Sequence, residues 1–94
     1  MPIGTKPFRV ELVTPESATP PIECTFAALP GWDGQFGVLA GRAPLVCKLG
    51  EGELRLETAA GWRRFHLHGG FAEVLDNVVT VLTDRAEPVG PSPP

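Results

Sequence analysis

The residues best suited to chemistry are two histidines in His66-Leu67-His68, followed by Gly69-Gly70-Phe71-Ala72 and then Glu73. Alternate side chains of a strand share a face, so His66 and His68 would present two imidazoles side by side. With a carboxylate they begin a ligand set for zinc, iron or manganese. The chain has only these two histidines, however, so no third imidazole completes the set. In the simpler reading Arg64, His66 and His68 form the polar face of a strand whose Phe65 and Leu67 turn to the core. Nucleophilic chemistry has less support, because the only serines, Ser17 and Ser92, lack the Gly-x-Ser-x-Gly turn that such a nucleophile needs. Cys24 and Cys47 read as buried reduced thiols rather than a disulfide or a catalytic pair.

The elements that would position these residues are strands. From Phe8 to Leu82 the apolar residues follow a period of two, broken every eight or so residues by turn signals, the pattern of an antiparallel all-β domain. Phe8, Val10 and Leu12 alternate with Arg9 and Glu11, and Ile22, Cys24 and Phe26 alternate with Glu23 and Thr25. Leu54 and Leu56 lead through a turn at Ala60-Gly61 into Trp62 to Leu67, a hairpin. Gly70 to Leu75 and Val78 to Leu82 flank Asp76-Asn77, whose residue types tolerate the positive φ of a tight turn. Many short strands without helices, about eight to ten of them, leave a small antiparallel β-sandwich or a small barrel as the stable way to cover the apolar faces. The domain is expected over residues 1–87, and residues 88–94, rich in proline, are expected to form a disordered tail.

The stretch from Leu29 to Leu45 carries four glycines and two prolines and is too irregular for one strand. It is expected to make turns and to present Trp32 and Asp33 at the edge of the domain. Composition narrows the partners. With 94 residues, 43% apolar and 20% charged, and a formal charge of −3, the chain suits one small globular domain with no basic excess for nucleic acid. No apolar run approaches the ~20 residues that cross a bilayer. The start, Met1 to Pro7, has no signal-peptide core, so a place in the cytosol or on a membrane's cytosolic side is expected.

Four blocks, in order, carry a resemblance: Leu12-Val13-Thr14-Pro15-Glu16; Asp33-Gly34-Gln35-Phe36-Gly37-Val38-Leu39-Ala40-Gly41-Arg42-Ala43-Pro44-Leu45; Gly69-Gly70-Phe71-Ala72-Glu73-Val74; and Val79-Thr80-Val81-Leu82-Thr83-Asp84. Together, over about Phe8 to Glu87, they resemble the epsilon subunit of F-type ATP synthases, called delta in mitochondria. The resemblance implies a β-sandwich on the central rotor stalk that joins the gamma subunit to the membrane c-ring during ion-driven ATP synthesis, without catalysis and without a cofactor or metal of its own. It implies c-ring contact by Trp32, Asp33, Gly34, Gln35 and Phe36, and gamma contact by Arg42, Ala43, Pro44 and Leu45. It further implies a peripheral position on the cytoplasmic side of a bacterial plasma membrane, or the organelle equivalent. The helical hairpin that usually follows the sandwich in this family is expected to be absent. The family usually has an acid at Gln35, a proline at Ala40 and often a histidine at Arg42, while Asp33 keeps an acid in the turn.

A second resemblance competes. His66-x-His68 followed by Glu73 is similar to the first metal motif of cupins, which are also small β-barrels. The alternative function is therefore a small cupin-like metal-dependent enzyme using His66, His68 and Glu73. Against it, Gly61 stands one residue too close and Thr80 occupies the position of a motif glycine.

Overall fold

The computed structural model describes residues 6–90. Eight strands account for the regular structure, and there is no helix among the described residues: β1 (Phe8–Val13), β2 (Ile22–Cys24), β3 (Phe26–Gly31), β4 (Gly34–Val38), β5 (Leu45–Thr58), β6 (Gly61–Leu75), β7 (Val78–Leu82) and β8 (Ala86–Val89). They form one continuous sheet in the order β2-β1-β7-β6-β5-β3-β4, with β8 paired to β6.

The long hairpin β5–β6 explains how one sheet makes a sandwich. The first half of β6 pairs with β8, from Arg64↔Val89 to Leu67↔Ala86, and its second half pairs with β7, from Phe71↔Leu82 to Leu75↔Val78. Between the halves, Gly69 and Gly70 take φ of 75° and 113°. Here the buried positions change parity, from Phe65 and Leu67 to Ala72 and Val74. The facing strand β5 changes in step, from Leu49 to Leu54 and Leu56. A strand alternates strictly, so such a shift needs residues out of phase, and glycines supply the backbone geometry. The sheet thereby folds over itself and closes on a core that includes Val10, Leu12, Leu29, Leu54, Leu67 and Val81.

The paired glycines also leave room for the corner. A Cβ on Gly70 would overlap the Leu82 carbonyl oxygen, and one on Gly52 would stand 2.9 Å from Pro30 Cβ. At the other end of β6, Asp76 and Asn77 take φ of 50° and 63°, the double positive φ of a tight hairpin, as their residue types suggest.

Four details depart from the sequence reading. The sheet is antiparallel except for β1 and β7, which run parallel from Arg9↔Val78 to Val13↔Leu82. Phe26 does not continue the strand of Ile22 and Cys24. The chain changes partner at Thr25, whose amide donates to the Glu57 carbonyl, so β2 pairs with β1 while β3 pairs with β5. Gly61 to Leu75 is one strand, and Leu45 to Gly52 belongs to its partner β5. Finally, pairing runs past residue 87: β8 includes Pro88 and Val89. Pro88 is tolerated because β8 is an edge, where a missing N–H leaves no ladder bond broken. The remaining tail positions, 91–94, lie outside the described residues.

Candidate docking interface

The hairpin β3–β4 closes on a two-residue turn, Trp32-Asp33, flanked by Gly31↔Gly34. Glycine is required at both flanks. A Cβ on Gly31 would collide with the Gly34 carbonyl oxygen and stand 3.1 Å from the Phe36 ring, while Gly34 has φ of 141°. The turn is anchored to β5 rather than free, because the Trp32 amide donates to the Lys48 carbonyl at 2.9 Å. Trp32 is 67% exposed, and Lys48 Nζ lies 4.2 Å from the centroid of its ring. This cation–π contact favours that pose of the exposed indole. Phe36 instead turns inward and packs against the core.

The segment between β4 and β5 is held from two sides. The Arg42 amide donates to the Leu39 carbonyl at 3.2 Å, and the Gly41 amide donates to Asn77 Oδ1 at 2.7 Å. Gly41 itself has φ of 83°. The two segments singled out in the sequence meet: Trp32, Asp33 and Phe36 from one, with Arg42 and Leu45 from the other, line one open groove of about 480 Å³. Gly34, Gln35, Ala43 and Pro44 are not in its lining and stand exposed beside it. Cys47 and Lys48 complete the wall. The Cys47 thiol is pushed above its ordinary range by burial, with the Asp33 carboxylate adding to the effect. Cys24 is buried, and both cysteines are free.

Sequence reasoning missed a second part of this surface. Val46 is 69% exposed, Phe71 53% and Leu82 48%, on adjacent strands β5, β6 and β7. Phe71 pairs with both Lys48 and Leu82, so it sits at the centre of this outer face. An unbroken apolar run, Leu45-Val46-Cys47, was the available signal, since a strand with one solvated face should have been polar at Val46. The sheet therefore presents large apolar side chains on one outer face, next to Lys48 of the groove wall, as an interface does.

The metal motif does not assemble as the cupin resemblance requires. Glu73 pairs with Val46 and Thr80, beyond the Gly69-Gly70 bend, where the parity of the strand has changed. The histidines face other carboxylates: His66 Nε2 stands 3.0 Å from Glu51 Oε2, and His68 Nε2 stands 2.9 Å from Glu87 Oε1. Arg85 Nη2 also donates to Glu87, at 2.7 Å. The His68 and Arg85 hydrogen bonds hold the Glu87 carboxyl down to about 2.

A doubled-over sheet with a glycine-flanked turn, a shallow groove and exposed apolar residues defines a small β-sandwich with a candidate docking surface. Residues 7–89 match the family described as the ATP synthase, Delta/Epsilon chain, beta-sandwich domain, and the chain belongs to that family. It is 52% identical over 82 residues to the ATP synthase epsilon chain of Rhodopirellula baltica, covering 87% of this chain and 64% of that one. It is 40% identical over 80 residues to the chloroplastic epsilon chain of Cyanidioschyzon merolae, covering 85% and 61%. The chain thus spans 64% and 61% of the lengths of these two relatives. Among solved structures, a chain of the Euglena gracilis mitochondrial ATP synthase, determined as OSCP/F1/c-ring, superposes with a TM-score of 0.76 at 29% identity, over 92% of this chain and 57% of that one. A chain of the Tetrahymena thermophila mitochondrial ATP synthase central stalk and c-ring gives 0.68 at 15% identity, over 88% and 67%, a likeness of fold alone.

Proposed function

We propose that this chain is a non-catalytic rotor subunit of the central stalk of an F-type ATP synthase, coupling the gamma subunit to the membrane c-ring while an ion gradient drives ATP synthesis. Family membership across residues 7–89 carries this reading. In it, Trp32, Asp33, Gly34, Gln35 and Phe36 meet the c-ring and Arg42, Ala43, Pro44 and Leu45 meet gamma, so the groove between the two segments lies where the partners converge. The subunit works on the cytoplasmic side of the membrane, peripherally, through its partners. Its mechanism is mechanical: a domain that turns with its neighbours must bind without slipping, and permanent interfaces commonly bury more than about 2,000 Å². Val46, Phe71 and Leu82 enlarge the apolar area available for that purpose.

The test is assembly in membranes. The intact chain should co-purify with gamma, and Asp33→Lys should lower subunit content or ATP synthesis without changing the unfolding midpoint of the isolated chain. Failure to co-purify with gamma would overturn the reading, and normal synthesis by Asp33→Lys at normal subunit content would remove the turn from the c-ring contact.

A further inference from the structure

The fold replaces the carboxylate that the sequence pattern proposed for the histidines. Glu51, His66 and His68 each offer a ligand atom, and these atoms lie within 4.8 Å of one another. Glu51 comes from β5, directly opposite His68, and the two imidazoles come from alternate positions of β6. The rings meet edge to face with centroids 4.8 Å apart, and each Nε2 points at a carboxylate oxygen rather than into the core. A fourth donor is adjacent, since Glu87 on β8 already contacts His68 at 2.9 Å. Three neighbouring strands therefore bring two imidazole nitrogens and two carboxylates to one patch of surface.

We propose that Glu51, His66 and His68 form a surface site for a divalent transition-metal cation of the zinc class, with Glu87 able to close the coordination shell. Two histidines and a glutamate are a recognised zinc set, and nitrogen with carboxylate oxygen favours zinc, nickel and copper over magnesium or calcium. A metal-bound imidazole nitrogen carries no hydrogen, so any proton now standing between an Nε2 and its carboxylate passes to solvent as the ion binds. The ligands ride on paired strands, so little ordering is needed before the ion enters. The ion would tie β5 to β6, and through Glu87 to the edge strand β8, and so would stabilise the folded chain over the unfolded one. It would carry no reaction, because the site is an open patch away from the groove. The expectation of no resident metal rested on an incomplete ligand set, two histidines with one glutamate; the fold brings Glu51 and Glu87, in place of Glu73, to those histidines.

Titration of the full chain with zinc chloride at neutral pH should show saturable one-to-one binding with proton release. The unfolding midpoint should rise by about 5 °C or more at saturating zinc, and magnesium chloride should do neither. His66→Ala and Glu51→Gln should each weaken zinc binding at least tenfold, whereas Cys47→Ser should leave it unchanged. Should His66→Ala not fold, Glu51→Gln and the direct titration of the parent chain still decide the matter. Absence of binding by the parent chain, or equal binding by the parent and Glu51→Gln, would overturn the site, as would loss of binding in Cys47→Ser alone.

Discussion

The side chain of Asn77 accepts a hydrogen bond from the amide of Gly41 at 2.7 Å, joining the turn between β6 and β7 to the loop that carries Arg42. Asn77 therefore has two roles: its backbone takes the positive φ of the hairpin, and its side chain fixes a loop 36 positions away in sequence. Its own carbonyl also accepts from the Arg9 amide at 3.0 Å, which secures the hairpin against β1.

Asn77→Gly separates the roles, because glycine keeps the turn geometry and the backbone bond while deleting the side-chain acceptor. The expected loss of stability is about 0.5–1.5 kcal/mol, the ordinary worth of one hydrogen bond, read from urea unfolding. The loop at Arg42 should loosen, and retention of gamma in pull-down should fall by more than the stability change explains. Unchanged retention would show that the loop needs no such anchor.

Trp32 is expected to matter for docking and not for folding. Its ring is exposed, and its contact with Lys48 is a surface cation–π pair worth about 0.5–1 kcal/mol. Trp32→Ala should therefore unfold within about 1 kcal/mol of the parent chain yet assemble poorly into the complex. A large stability loss with normal assembly would reverse this assignment.

The two glycines with similar φ in β6 should respond differently to alanine. Gly61, at 111°, has open space where a Cβ would stand, whereas at Gly70, at 113°, the new carbon would overlap the Leu82 carbonyl. Gly61→Ala should cost about 1–2 kcal/mol from backbone strain alone. Gly70→Ala should cost more than about 3 kcal/mol, since the β6–β7 ladder must also open. Equal unfolding midpoints for the two variants would show that the corner is not sterically fixed.

Much of this architecture was legible because burial on one face writes itself as alternation. Phe8, Val10, Leu12, Leu54, Leu56, Phe65 and Leu67 all showed which face is inward, and all are buried. The Asp76-Asn77 turn was legible because its residue types match its φ. What alternation could not convey was the corner: Gly69-Gly70 reads as a break between strands, although β6 passes through it unbroken with its faces exchanged. The parallel pairing of β1 with β7 depends on contacts distant in sequence and leaves no local trace. For the candidate groove, the turn at Trp32 announced itself through its glycines. Phe71 and Leu82 did not, since neighbouring strands had to be placed before their shared exposed face could be seen. Glu51 was overlooked beside the histidines for the same reason, its partner being across the sheet rather than along it.

The last expectation concerns alkaline solution. Burial pushes the Cys24 thiol up from 9.0 to about 11, a backbone hydrogen bond at Phe26 opposing and the Glu23 carboxylate adding. The folded chain thus prefers the neutral thiol more strongly than the unfolded chain does. The stabilisation is complete below pH 9.0 and is lost progressively as pH rises toward about 11. The loss should approach about 2–3 kcal/mol, with Cys47 shifting in the same direction. Cys24→Val keeps an apolar side chain of similar size and removes the titrating group, so its stability should fall less between neutral pH and about pH 10.5. Urea midpoints of the two chains at both pH values provide the measurement. Parallel losses in the parent chain and in Cys24→Val would assign the alkaline instability to other groups.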